Sequence, residues 1–336
     1  MTAVRPDGDA GSSIERENDS NVELMEPVRA GDAHDHETLH GHESPPVGNE
    51  PRIPLNWWGL AIRFVVAVVT LTGMNLLASG ISLLFGDSVS SESAVAVLSL
   101  LQYVVVLAGV VAVVAFWMRA VERRRLADAG WVFSLRGLGW LAVGLGASLA
   151  VYGVLLAVPA VGIPLFESGP TYFDIANAPP LWAVLLDTVG LAFVLQGIPE
   201  ELLWRGWLFG IVRDRPWLAF WWTTLSFASI HLISQGGQQH WYDRLSYLAI
   251  PLGFGALAGA LVLVTRSMWV AVGIHAGFHL WGSTIELFTG QELGSSSEVN
   301  LVVGTAFLIP AAVVLLCRSR TRRRRDVAPS GAGNGA

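Results

Sequence analysis

Lysine is absent from all 336 residues, so every fixed positive side-chain charge is an arginine. Cysteine occurs once, at Cys317. A single thiol excludes an intrachain disulfide and a cysteine-rich metal site. It is expected to be a buried thiol beside the last apolar run rather than a lipidation site. Charge of either sign is scarce: 14% of residues are charged, whereas 52% are hydrophobic. A soluble domain of this length would need far more charge on its surface. No secretory leader is expected at the start, because the first fifty residues are acidic and have no apolar core. The first hydrophobic segment is therefore expected to act as an uncleaved insertion signal. What the chain does contain is a series of apolar runs that reach the ~20 residues a helix needs to span a bilayer. The fold class this implies is all-α: a polytopic membrane protein with a bundle of about eight transmembrane helices.

The net charge of −6 hides two regions. Residues 1–50 hold twelve acidic residues against Arg5, Arg16 and Arg29, and the remainder is net positive. With its Asp, Glu, Gly, Ser and Pro and no hydrophobic period, residues 1–56 read as a disordered acidic tail. The tail's His34, His36, His40 and His42 are read as solvated side chains. A weak metal site there would have nothing to fix its geometry.

The apolar segments run from about 60 to 85, 94 to 118, 138 to 161, 181 to 212, 217 to 233, 245 to 264, 268 to 288 and 301 to 316. Trp57 and Trp58 stand before the first as an interfacial belt. Arginines cluster in the loops after the second, fourth, sixth and eighth segments, and the other loops are acidic or nearly neutral. This alternation places both termini in the cytoplasm. Residues 57–180 then form helices one to three, 291–317 the last helix, and 318–336 a basic disordered tail. Small residues recur in segment three (Gly137, Gly139, Gly144, Gly146) and segment six (Gly253, Gly255, Gly259), and are read as close helix packing.

One stretch breaks the apolar pattern. Within segment four, Gly197-Ile-Pro-Glu-Glu-Leu-Leu-Trp-Arg places Glu200, Glu201 and Arg205 where ionisable groups are costly and mark function by default. His231 on segment five, and His275 and His279 on segment seven, join them. At ~1.5 Å per residue, Glu200 lies about 20 Å from Arg213 and His231 about 21 Å from Trp217. His275 and His279 lie about 10 and 16 Å from Met268. The four can therefore meet at one depth, toward the cytoplasmic side of centre. Glu201 and Arg205, four apart, face each other as an ion pair. Glu200 lies ~100° away and is left free to act. Pro199 is expected to kink the helix, because it cannot donate to Leu195.

A free carboxylate beside histidines suits general-base activation of water. His231 would hold that water, and His275 and His279 would donate to the oxyanion of an attacked amide. Ser226 and Ser229 flank His231, but small hydroxyls in membrane helices usually bond their own backbone. A serine nucleophile is accordingly set aside. The bland alternative is that the polar set only glues helices together.

The order Glu200-Glu201-x-x-x-Arg205, Phe227-x-x-x-His231 and His275 resembles the motifs of the CAAX protease and bacteriocin-processing (CPBP) family, the type II CAAX prenyl protease-like or Abi intramembrane proteins. The resemblance covers about 181–290, which reads as the catalytic core. It implies an eight-helix fold and an intramembrane glutamic endopeptidase, with Glu200 as water-activating base, His231 as its partner, His275 at the oxyanion and Phe227 as packing. One position departs. The family commonly has asparagine or aspartate four residues after the last histidine, and here it is His279. That departure favours two rivals: a catalytically inactive immunity or partner-binding protein, or a zinc enzyme using His231, His275 and His279. Otherwise no cofactor is expected. A proton-coupled transporter is a further class, but the outer half of segment four offers it only Asp187. The implied partners are a membrane-associated protein or peptide substrate and the lipid bilayer, not nucleic acid, and the expected location is a bacterial cell membrane.

Overall fold

The computed structural model describes residues 50–86, 91–176, 178–233 and 240–327, with side chains to residue 321. The chain divides into two units, Met1–Pro45 and Pro46–Ala336. All described residues belong to the second, so the acidic tail and its four histidines lie outside them, as do residues 328–336.

The protein is an all-α polytopic membrane protein. Its main helices are α1 (Trp57–Phe85), α2 (Glu92–Ala120), α3 (Leu135–Ala157), α4 (Leu181–Ile211), α5 (Pro216–Ile230), α6 (Trp241–Thr265), α7 (Met268–Thr289) and α8 (Ser297–Val327). Among the described residues six are long and apolar enough to cross a membrane: α1, α2, α3 with its extension to Val161, α4, α6 and α8. Outside that set, α5 has only 15 residues. The remaining helix, α7, has 22 residues and carries both candidate histidines and Glu286.

Local chemistry sets the helix ends. Asn56, Ser91 and Ser134 each accept a backbone N–H from the first turn of α1, α2 and α3, which satisfies donors that a helix start otherwise orphans. Pro216 opens α5 where its missing N–H costs nothing. Two short strands, β1 (Phe166–Ser168) and β2 (Gln291–Leu293), pair antiparallel and tie the loop after α3 to the loop after α7.

In the interior, α7 packs along α3, α8 along α6, and α7 also lies against α6 and α4. Gly144 of α3 meets Gly273 of α7. A Cβ on either would overlap the other helix's backbone, at the Val270 carbonyl or the Leu141 carbonyl. Trp204, Trp207, Phe220, Phe227 and Phe307 are the largest fully buried apolar side chains of the core. Between α1 and α5 lies an apolar cavity of about 520 Å³, walled by Trp57, Leu60, Phe64, Trp222, Leu225 and Ser229.

Several expectations are corrected. Gly139 and Gly146 meet no neighbouring atom; they fall on the faces of α3 turned away from α7, so they do not pack helices. Cys317 is exposed rather than buried, because no neighbouring helix covers that position of α8. The last helix does not end near Cys317 but continues to Val327, so the arginine-rich segment begins as helix.

A buried ion pair fastens α1 to the turn after α2. Arg63 and Glu122 are 0% and 1% exposed. Nε and Nη2 of Arg63 donate to the two Glu122 oxygens, each at 2.8 Å. The remaining guanidinium donors go to the Ile53, Pro54 and Gly59 carbonyls. Glu122 Oε1 also accepts from the indoles of Trp117 at 2.8 Å and Trp207 at 3.4 Å. Trp207 stands on α4, so this network braces the helix that carries Glu200.

Candidate active site

The site begins with a distortion of α4. Two π-helical runs, Gly190–Gly197 and Leu202–Leu208, flank a four-residue α-helical piece, Ile198–Glu201. Sequence alone predicted a kink at Pro199. The helix instead widens on both sides of it, since Pro199 has no N–H to donate and i→i+5 bonding shifts the pattern around it. Such bulges occur preferentially at functional sites.

Glu201 at the end of this piece and Arg205 in the following π-helical run form a buried ion pair. Arg205 Nη1 donates to Glu201 Oε1 at 3.2 Å, and Nε lies 3.2 Å from Oε2. Nη2 donates to the Gly255 carbonyl of α6 at 3.0 Å. The close approach requires glycine there, because a Cβ at position 255 would stand 2.8 Å from Nη2. The guanidinium carbon lies 4.4 Å from the centre of the Phe227 ring, a cation–π contact worth more when desolvated.

His275 joins the pair. Its Nδ1 is 2.9 Å from Glu201 Oε1, and the residue is 1% exposed. An ionised carboxylate has no proton to give, so Nδ1–H is the donor. In the neutral ring Nε2 is then an acceptor, and it donates only as imidazolium. His231 follows the same logic. It is not inside a helix, as the sequence reading had it, but caps the C-terminus of α5. Its Nδ1 lies 2.9 Å from the Phe227 carbonyl, which can only accept, so Nε2 of the neutral ring is again an acceptor.

Glu200 stands apart from the ion pair on the same helical piece. Its Oε2 is buried and has no hydrogen-bond partner among the described residues. A buried, unpaired carboxylate oxygen is costly and calls for an explanation. The carboxylate lies within Coulombic reach of His275, Glu201 and Arg205. The His279 ring centre is 5.4 Å from that of His275 and 5.2 Å from that of Phe278. His231, His275 and His279 are in electrostatic contact with one another. The structure thus brings all four candidate residues into one neighbourhood around Phe227, whose ring centre lies 4.9 Å from His231 and 5.7 Å from His275.

The serines do not take part. Ser226 Oγ donates to the Thr223 carbonyl and Ser229 Oγ to the Ser226 carbonyl, both within α5. Ser226 also accepts from the Trp204 indole. Asp187 is held by the Tyr103 hydroxyl, which donates to it at 2.9 Å. Among the described residues no three His, Cys, Asp or Glu side chains are grouped as a metal ion requires. Sequence reasoning read Gly255 as helix packing without its tie to Arg205, and missed Tyr247. Tyr247 lies on α6 with its ring centre 6.3 Å from His231; nothing in its local sequence distinguishes it from an interfacial aromatic.

Residues 180–281 match the family model described as Rce1-like, type II CAAX prenyl endopeptidase Rce1-like. This segment belongs to the CAAX protease family. The CAAX protease segment runs from the start of α4 into α7 and holds every site residue named above, from Glu200 to His279. Helices α1–α3 and α8, including the Arg63–Glu122 network, lie outside it. No curated protein matches the chain.

Proposed function

We propose that the chain is an intramembrane endopeptidase that hydrolyses a peptide bond of a membrane-associated protein or peptide, with water activated by Glu200. The observation that carries this reading is the division of labour between adjacent glutamates. Glu201 is ion-paired with Arg205 and its Oε1 is bonded by Arg205 and His275, whereas Glu200 has neither an ion pair nor a hydrogen bond for its buried Oε2 among the described residues. A carboxylate kept unpaired in an apolar setting is suited to accept a proton.

In this mechanism Glu200 takes a proton from water while the water oxygen attacks the scissile carbonyl carbon. His231 Nε2 accepts the second water hydrogen and orients the nucleophile. The carbonyl electrons move to oxygen, and His275 stabilises that charge as an imidazolium balanced by Glu201. His279 is a further donor at the same oxygen. The proton held by Glu200 then passes to the amide nitrogen as the C–N bond breaks, which restores the carboxylate.

The alternation of arginine-rich loops supports eight membrane crossings with both termini in the cytoplasm and the site toward that side. In a bacterial cell membrane, the substrate would be a membrane-anchored chain ending in a Cys-a-a-X sequence, in line with the family description. The core then spans 181–290, with α1–α3 and α8 as supporting helices.

The test is cleavage of a farnesylated Cys-a-a-X peptide, and of its unprenylated form, by the full chain in proteoliposomes. Cleavage that persists with a chelator and is lost in Glu200→Gln, with the variant inserted and folded, is the expected result. Chelator-sensitive cleavage with bound zinc would instead make His231, His275 and His279 ligands. Cleavage by Glu200→Gln at the wild-type rate, or no cleavage by the wild type, would sink the proposal.

A further inference from the structure

Apart from His279 and a protonated His275, the site offers acceptors rather than donors. Glu200 is a carboxylate, and His275 presents an acceptor Nε2 when neutral, because it commits its Nδ1–H to Glu201. Arg205 is turned to its own partners: Nη1 donates to Glu201, Nη2 to the Gly255 carbonyl, and Nε faces the Glu201 carboxylate at 3.2 Å. Amide hydrolysis puts negative charge on a carbonyl oxygen, and that charge needs preorganised donors. Among the described residues, the hydroxyls of Ser148 and Thr224 are buried without a partner, and a third uncommitted hydroxyl belongs to Tyr247. Tyr247 lies in the Coulombic neighbourhood of Glu200, and its hydroxyl makes no hydrogen bond there.

The position is a built one. Tyr247 closes the first part of α6, Trp241–Tyr247, and Leu248 separates it from the second part, Ala249–Thr265. Its ring packs on the apolar core and lies 6.3 Å from His231, centre to centre. The ring is thus anchored beside His231, and a phenol carries its donor at the far end of a rigid group.

We propose that Tyr247 is an oxyanion donor: its O–H donates a hydrogen bond to the scissile carbonyl oxygen as charge develops, and keeps its proton throughout. This rests on the proteolytic reading above and deepens it. It assigns the donor role to a group on α6, a helix that carries none of the motif histidines.

The experiment compares wild type, Tyr247→Phe and Glu200→Gln as full-length protein in proteoliposomes with the farnesylated Cys-a-a-X peptide. Thermal unfolding in detergent is measured for each. Tyr247→Phe keeps the ring and removes only the hydroxyl, so its melting temperature should stay at the wild-type value. Its kcat should fall by about 10²-fold, the usual loss for one oxyanion donor, with KM within about twofold. A kcat equal to wild type, or a raised KM at unchanged kcat, overturns the inference alone, the latter making Tyr247 part of the substrate-binding wall. A lowered melting temperature that accounts for the lost activity overturns it too. A wild type that cleaves nothing overturns the proteolytic reading, and this inference with it.

Discussion

Removing one half of the Arg63–Glu122 pair should cost far more than removing both. Both side chains are at most 1% exposed, and two hydrogen bonds of 2.8 Å join them. In Glu122→Ala the guanidinium keeps only carbonyl partners, and the indoles of Trp117 and Trp207 lose their acceptor. An uncompensated buried charge costs about 3–5 kcal/mol. Arg63→Met leaves the Glu122 carboxylate with those two indoles, and takes a donor from the Ile53 and Pro54 carbonyls. It should fall at the lower end of that range, about 3 kcal/mol. The double variant Arg63→Met/Glu122→Leu leaves no buried charge, so it should lose less than about 1 kcal/mol and recover most of the sum of the single losses. Unfolding of the purified protein in mixed micelles of rising SDS fraction measures all four forms. Single losses below about 1 kcal/mol that simply add would refute the reasoning, because they would mean that water already reaches the pair.

Three further outcomes follow from the site and its surroundings. Gly255→Ala should push Arg205 Nη2 off the Gly255 carbonyl and lower stability by about 2 kcal/mol, the scale of a hydrogen bond to a charged group, read in the same micelle titration. Ser226→Ala and Ser229→Ala should cleave within about threefold of wild type, since each hydroxyl serves the α5 backbone; loss of cleavage in either would revive a serine nucleophile. Outside the helices, the Asp174 carboxyl accepts from the N–H and the hydroxyl of Thr171, which hold it below the usual carboxylate range. A depressed pKa means that this turn is supported above the ordinary Asp range and loses its support as pH falls through the lowered value. A carboxyl ¹³C titration of Asp174 in micelles should show that lowered midpoint, and Thr171→Ala should raise it.

Much of the scaffold could be read from residue order, because apolar length and arginine placement act locally. The Glu201–Arg205 pair was legible for the same reason, being one helical turn apart. So were the backbone bonds of Ser226 and Ser229. What could not be read depends on contacts across long separations. Glu122 lies 59 positions from Arg63, and Glu201 lies 74 from His275. The π-helical runs around Pro199 leave no trace in hydrophobic periodicity, which places side chains but does not report which carbonyl each N–H chooses. The glycines of α3 illustrate the same limit. Gly137 and Gly144 meet α7, and Gly139 and Gly146 meet nothing, although all four look alike in sequence.

The contact between Gly144 and Gly273 has a kinetic consequence. Two backbones that touch without side chains between them can sit in one register only. Sliding α7 by a single residue, about 1.5 Å, would drive Val272 or Ile274 into the groove that Gly273 fills. His275, two residues on, therefore rides on a fixed rail, and on the proteolytic reading the rearrangements that admit a peptide and release its halves fall to helices that are not locked in this way.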